Sequence, residues 1–414
     1  VSTEETPVQF EANRLKQMNA RQISGAALRV IVDGRIGFAS STRPQEAGDL
    51  VEAALETAPF GPEAKFDFPS RQDYPPVEVY DPAVEQVSVE HMVHLGQALI
   101  DAVRRYEPEL QCDGGVRKAT SQVTCLNSSG GNFSYRGSVF SLSVHGTLVR
   151  GTDMLFVGDG DASCQPIEDF SAIERHVAEQ LEHSRKIAAI PTGEMPVIFT
   201  PDGVASALAM PLSLAFSGRL VYQAQSPLVG CLGKRMYDPR LSVIDDATLP
   251  FRPASRICDD EGVPSRRLPL IENGVVQRFL YDLQTAGLAG TQSTGHGERS
   301  LASQPSISTS SLLVQDGDTA FADMLAGVKE GLVVEWLMGA GQGNVLGGDF
   351  SGNVLLGYKI ENGQIVGRVK DTVVSGNAHQ ALKEVSAIGN DGRWVSASLY
   401  TPSLFCPELS VSSK

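Results

Sequence analysis

Seven histidines and six cysteines are the residues of this chain best suited to metal or nucleophilic chemistry, and their spacing restricts what they can do. Zinc takes three or four His, Cys or carboxylate ligands, usually with two of them on one helical face. His91 and His94 have that spacing, but they fall beside Glu90 on a polar face with no third ligand close in sequence. They read as surface histidines. His176 and His183 lie on one helix too far apart along its axis to ligate one ion together, so no metal ligands are assigned there. Gly158-Asp-Gly-Asp-Ala162 offers half of a calcium loop without the terminal bidentate Glu, and reads as a solvated turn. Gly339-Ala-Gly-Gln-Gly343 follows the apolar run Leu332–Met338, but Asn344 stands where a dinucleotide loop needs its third glycine. A tight turn between closely approaching backbones accounts for it better than a nucleotide site. There is no G-x-S-x-G elbow, and no serine or cysteine pairs with a histidine by spacing. Cys112, Cys125, Cys164, Cys231, Cys258 and Cys406 are scattered without a C-x-x-C pair, as expected of buried small hydrophobes in a reducing compartment. His296, in Ser293-Thr-Gly-His-Gly297, differs in being flanked by glycines. An accessible loop there would offer the imidazole to a cleft, with Arg299 near enough to meet a peptide carboxylate or carbonyl; a plain loop histidine is the alternative.

The elements that must position these groups follow from the apolar pattern. Leu28, Val30 and Val32 lead into Asp33-Gly34, then Ile36 and Phe38 follow, which predicts a hairpin. Leu50, Val51, Ala54, Leu55 and Ala58 predict a short helix over it, giving a first domain at residues 1–60. Pro59, Pro62, Pro69, Pro75, Pro76 and Pro82 then forbid continuous helix and mark an extended connector. A second domain at 83–190 opens with a helix on the stripe Val89, Met92, Val93, Gly96, Leu99, Ile100 and Val103. Two long strands around Asn127-Ser-Ser-Gly-Gly131 come next, and Ser171-Ala-Ile-Glu174 predicts a capping box at the last helix. From 193 to 414 strand signals dominate after one predicted helix near Val204–Ser217. Leu270-Ile-Glu-Asn-Gly274 is echoed by Lys359-Ile-Glu-Asn-Gly363, two Asn-Gly hairpins that hint at internal pseudo-symmetry. The expected class is α+β: a small hairpin-helix domain, an α/β middle domain, and a large C-terminal mixed sheet curled into a half-barrel.

The 414 residues carry 34 Lys and Arg against 49 Asp and Glu, a net charge of −15. That field repels phosphate backbones and anionic lipid, which argues against nucleic acid as a partner. Apolar runs such as Ala205–Phe216 are far short of the roughly 20 residues a membrane helix needs. The opening Val1-Ser-Thr-Glu-Glu5 has neither the basic nor the apolar region of a secretory signal, so a cytoplasmic location is expected.

Several motifs are more specific. Asp259-Asp-Glu-Gly-Val-Pro-Ser-Arg-Arg267, Leu270-Ile-Glu-Asn-Gly274, Tyr281-Asp282, Ser293-Thr-Gly295, Ile360-Glu-Asn-Gly363, Val374-Ser-Gly-Asn377 and Gly389-Asn-Asp391 resemble the TldD/PmbA family, often labelled modulators of DNA gyrase. The resemblance runs from about Ser24 to the C-terminus. It implies a zinc-dependent peptidase of two related subunits, TldD and TldE (or PmbA), that degrades unstructured peptides and trims leader peptides. In the TldD subunit a helix carries H-E-x-x-x-H, supplying two zinc ligands and the Glu that activates water, with a C-terminal cysteine completing the site. Here the matching helix reads Ala209-Met-Pro-Leu-Ser-Leu-Ala-Phe-Ser-Gly218, without His or Glu. Met210, Pro211 and Ala215 mark this degenerate motif helix, and Ser217-Gly-Arg-Leu-Val-Tyr222 with Cys231-Leu-Gly-Lys234 resembles the PmbA subunit.

The resemblance therefore implies a non-catalytic PmbA/TldE-like subunit, with no catalytic residue and no metal of its own and zinc in a TldD-like partner. The expected substrate is unfolded peptide, and a homodimer is expected when the partner is missing. Gly295, His296, Gly297, Arg299 and Asp349 are the candidate cleft residues, with Gly339–Gly348 as a further wall. Two rivals stand beside this reading. One is a divergent homodimeric enzyme built on His296, Asp349 and a cysteine; the other is a binding module that modulates a topoisomerase.

Overall fold

The computed structural model describes residues 1–43 and 47–413. Strand β1 (Ser2–Glu11) opens the chain. Next comes the hairpin of β2 (Ala26–Val32) and β3 (Arg35–Ser41), whose turn residues Asp33 and Gly34 both take positive φ, +49° and +74°. That is the geometry Asp-Gly favours between right-twisted strands. Helix α1 (Ala47–Thr57) covers the hairpin through Ala54, and residues 65–81 then run without helix or strand, as the proline density requires.

Helix α2 (Val89–Arg104) begins at Ser88, whose hydroxyl accepts from His91 N, and buries Met92, Leu99, Ile100 and Val103. These pack on a sheet built from β1 and three long strands, β4 (Gln111–Leu126), β5 (Asn132–Arg150) and β6 (Asp153–Ser163), all antiparallel. Val116, Leu142 and Val144 form the sheet's side of that core. Gly96 is required there, since a Cβ would lie 2.3 Å from the Phe10 ring. Strand β1 pairs with β4 from Ser2 to Phe10. Residues 2–24 thus join the middle sheet, and the hairpin with its helix stands apart from them. Gly158-Asp-Gly-Asp-Ala162 forms part of β6 and not a solvated turn. Helix α3 (Ser171–His183) closes this region, and its expected capping box does not form. The Ser171 N–H is instead taken by the Asp169 carboxylate at 2.8 Å.

The C-terminal region is organised around a five-strand ring. Strand β7 (Gly193–Phe199) is followed by helices α4 (Pro201–Ala207) and α5 (Ala209–Ala215). A single helix was expected at 204–217, but the chain breaks at Leu208. Pro211 has no N–H to give to Ala207, so the continuous ladder must end there. Then come β8 (Val243–Asp246), β9 (Arg267–Glu272), β10 (Leu312–Val314), β11 (Glu330–Met338), β12 (Asp349–Glu361), β13 (Thr372–Asn377), β14 (Arg393–Val395), β15 (Leu399–Thr401) and β16 (Leu404–Ser413). β11 lies parallel to β7, β7 pairs with β16, β16 with β13, β13 with β12, and β12 returns to β11. The sheet that was expected to curl halfway closes completely. A second sheet runs β9, β8, β10, β15, β14, with only the β10–β15 pair parallel. The two Asn-Gly hairpins fall in different sheets, one on β9 and one on β12.

Residues 197–199 of β7 and 331–335 of β11 are buried on both faces. Val197, Phe199, Leu332 and Val334 point into the C-terminal core, whereas Ile198 and Val333 join the core under α3 with Ile173 and Val177. The ring wall is thus the seam between middle and C-terminal regions. Arg368 reinforces it, donating to both oxygens of Asp153 at 2.7 Å. Among the described residues no helix is long and apolar enough to cross a membrane.

Candidate functional site

A cleft of about 660 Å³ opens on that seam, and a second of about 500 Å³ lies beyond it. Asp159, Gln180 and Glu335 line both, so a thin polar partition separates them. Five side chains from five elements form it: Asp159 from β6, His176 from α3, Asp202 from α4, Glu335 from β11 and Arg393 from β14. His176 stands one helical turn from buried Ile173 and beside buried Val177, which turns its ring toward the seam. Its Nδ1 lies 3.0 Å from Asp159 Oδ2 and its Nε2 2.7 Å from Glu335 Oε1. Arg393 donates to Asp159 at 3.3 Å and also to Asp202. Gln180, one turn on, accepts from Gly158 N at 2.8 Å and donates to Gly158 O at 3.2 Å, locking α3 to β6.

Three carboxylates thus face one guanidinium and one imidazole. Burial disfavours the charged imidazole, but the hydrogen bonds to Asp159 and Glu335 overcome it and raise the His176 pKa to about 10. Burial would likewise raise Asp159 and Glu335, yet their bonds to His176 hold both below the usual carboxylate range. At Asp202 burial wins over Arg393, and the carboxyl is pushed up to about 6.

Ligand atoms of His176, Asp202 and Glu335 all lie within 4.8 Å of one another, and such N and O donors suit a divalent ion. The arrangement does not fit a resident metal. Both ring nitrogens of His176 face carboxylates, and the Arg393 guanidinium binds Asp202 inside the same space. The cluster is an ionic clasp in which Arg393 and protonated His176 already take up two of the three carboxylate charges. Nor do the residues near the degenerate helix make a zinc site. In α5 Pro211 and Ala215 are buried and Met210 is exposed, none of them a zinc ligand. Cys406 is sealed in the ring core with its thiol pushed up to about 12 by burial.

The clasp sets a pH dependence. The folded pKa of His176 lies above its ordinary 6.5, so its contribution is fully present below pH 6.5 and is lost as pH rises through about 10. Denaturant unfolding of the protein between pH 7 and 10 is expected to show an alkaline loss that His176→Gln lacks, on the order of 2–4 kcal/mol. Parallel curves for the two proteins would remove the charged imidazole from the account.

The expected cleft residues do not converge. His296 is 1% exposed, its Nε2 2.9 Å from Asp245 Oδ1, and Asp245 is itself fully buried and accepts from Ser310 N at 2.8 Å. It braces loops to β8 and is not an accessible histidine. Its neighbouring glycines serve crowding: Gly295 has φ +79° with a Cβ position 3.0 Å from Pro264 O, and a Cβ on Gly297 would strike the Glu261 side chain. Arg299 lines a separate cleft of about 780 Å³. Asp349 is exposed at the start of β12, accepting from Asn377 Nδ2 at 2.8 Å. The clasp residues went unassigned because their proximity is set by long-range pairing. One signal was present: Glu335 interrupts the apolar run Leu332–Met338, within residues 331–335 that are buried throughout.

A model of the PmbA/TldA metallopeptidase C-terminal domain matches residues 192–413, and one of domain 1 of the same metallopeptidases matches residues 1–58. The chain belongs to the TldD/PmbA metallopeptidase family. A protein named metalloprotease PmbA homolog from Haemophilus influenzae is 26% identical over 89% of this chain and 77% of its own length. A metalloprotease of Methanothermobacter thermautotrophicus is 26% identical over 92% of this chain and 84% of its own. Among solved structures, TldE of Thermococcus kodakarensis superposes with a TM-score of 0.88 at 24% identity, covering 100% of this chain and 95% of that one. A protein of Thermotoga maritima described as a putative modulator of a DNA gyrase superposes at 0.86, also 24% identical, covering 99% and 94%. At that identity the two structures speak for the TldD/PmbA fold alone.

Proposed function

We propose that this chain is the non-catalytic, PmbA/TldE-like subunit of a heteromeric TldD/TldE-type zinc peptidase acting on unstructured peptides. The observation that carries the reading is α5. Where the family's catalytic subunit is expected to hold H-E-x-x-x-H, this chain has Ala209–Ala215 in a helix broken off at Leu208, with no imidazole and no carboxylate. Water activation needs a Lewis acid or a positioned base, and that helix offers neither. The ionic clasp does not replace them, since its imidazole is held protonated between two carboxylates. What the chain supplies is a closed ring with clefts on its seam, a wall that admits extended chain and excludes folded domains.

The purified chain, incubated with zinc and a mixture of unstructured peptides, is expected to give no cleavage detectable by mass spectrometry. Addition of a TldD-type subunit bearing H-E-x-x-x-H is expected to give cleavage with both chains in one complex. Sustained hydrolysis by this chain alone, after removal of contaminating proteases, would falsify the reading.

A further inference from the structure

We propose that the cleft of about 500 Å³ beyond the clasp is a binding site for a primary alkylammonium group, an aliphatic stem ending in one cationic nitrogen. One wall of the cleft is made by an irregularity in β11. Val334 pairs with Gly357 on β12 and Trp336 with Leu356, so Glu335 is an extra residue with no partner across the ladder. Neighbours on an unbroken strand point to opposite faces, whereas a bulge re-aims a side chain and lets two successive residues turn the same way. Glu335 and Trp336 accordingly both line this cleft. Trp336 is 36% exposed although residues 331–335 before it are buried, and its ring centre lies 6.4 Å from that of His145. The bulge thus sets an open indole beside carboxylates, the combination that attracts an organic cation.

Charge and shape narrow the ligand. Asp159, Asp161, Asp202 and Glu335 line the cleft, and among the described residues no lysine or arginine does. Arg393 lines only the neighbouring cleft, and with His176 it answers two of the three clasp carboxylates, which leaves one charge over. Asp161 adds a second: it accepts from Ala162 N at 2.7 Å and makes no ion pair among the described residues. Arg252 feels the Asp161 charge, but it is stacked on Trp394 at 4.3 Å and lines neither cleft. The rest of the wall is apolar, with Ala162, Ala205, Val395 and Ala397. A hydrated metal ion gains nothing from that wall or from an indole face, an anion is repelled, and a neutral chain leaves the carboxylates unanswered. An alkylammonium lays its stem on the alanines and Val395 and its charge between Trp336 and the carboxylates, in a space of ordinary size for a small ligand. Lysine side chains and free alkylamines share this chemistry. Such binding goes beyond the reading of the chain as a peptidase subunit and fails separately from it, because it concerns this chain alone and involves no cleavage.

The test is calorimetry on the full chain with hexylammonium chloride, with hexanol as the neutral counterpart and a blocked alanine peptide carrying one central lysine as the other source of the group. Saturable binding of hexylammonium is expected, at least about tenfold tighter than that of hexanol. In Trp394→Phe, where Trp336 is the sole tryptophan, its emission is expected to shift with the same midpoint. Asp161→Asn is expected to weaken binding about tenfold and Trp336→Leu about fivefold. Both side chains are exposed, so neither substitution opens the core. Lysine-peptide binding within about tenfold of hexylammonium, with the same sensitivity to both variants, would give the site to a lysine side chain; weaker peptide binding would give it to a free amine. Equal binding of hexanol and hexylammonium would overturn the proposal. So would hexylammonium binding that Trp336→Leu leaves unchanged, or the absence of saturation up to about 10 mM.

Discussion

Replacing Arg393 with methionine is expected to destabilise the folded chain by about 3–5 kcal/mol, the range found when one partner of a buried ion pair is removed. The variant keeps the aliphatic bulk of the side chain and loses the charge. Asp159 and Asp202 then lose a shared cation, and His176 alone faces three carboxylates. Asp202, already pushed up to about 6, is expected to take up a proton at neutral pH. The effect is measurable at the site. The chain has two tryptophans, Trp336 and Trp394, and each lines one of the clefts that the clasp separates. Denaturant unfolding followed by their fluorescence is expected to move to lower midpoint in Arg393→Met. Adding Asp202→Asn removes the orphaned charge and is expected to recover part of the loss, with a coupling of about 1–3 kcal/mol in the double-mutant cycle. A cost below about 0.5 kcal/mol for Arg393→Met, typical of exposed ion pairs, would mean that water screens the partition and that the clasp holds nothing.

How much of this was legible follows the range of the interactions. The Asp33-Gly34, Asn273-Gly274 and Asn362-Gly363 turns could be read because positive φ at two adjacent residues is a local demand, and all six residues adopt it. The α2 stripe could be read because its burial has the helical period. Ring closure could not. It depends on β7 meeting β16 across more than two hundred residues, and on strands buried on both faces, which lose the alternation that would announce them. The break at Leu208 was missed although Pro211 stands in the sequence: one helix was expected across it near Val204–Ser217. His296 is the instructive failure. Its glycines were taken for exposure, when they stand there because Pro264 O and Glu261 leave no room for a Cβ. A flanking glycine signals close approach of another group as readily as open solvent, and the sequence alone does not distinguish the two.

The other large effect lies at the N-terminal hairpin, where Arg29→Ala is also expected to cost about 3–5 kcal/mol, localised to that unit. Arg29 Nη1 lies 2.7 Å from Glu261 Oε1, with side-chain exposures of 11% and 1%. The guanidinium carbon also sits 4.6 Å from the Phe66 ring centre and 5.4 Å from that of Phe68. One side chain from β2 thus pins hairpin, connector and C-terminal loops together. Without it Glu261 is a buried carboxylate whose remaining support is the Leu283 N–H at 2.7 Å. It also faces Asp259, which burial first and Glu261 second push up to about 7. Burial already raises Glu261 itself, with Arg29 as the main opposing charge, so the variant is expected to take up protons more readily than the parent. Acidification should therefore narrow the stability gap between Arg29→Ala and the parent, and Glu261→Gln should rescue Arg29→Ala in part at neutral pH. Limited proteolysis and hydrogen exchange should show residues 26–41 and 47–57 opening while β4–β6 stay protected, since of α1 only Ala54 is buried. If the loss were uniform across the chain, or insensitive to pH, Arg29 would be acting through its packing on Phe66 and Phe68 and not through the charge it brings to Glu261.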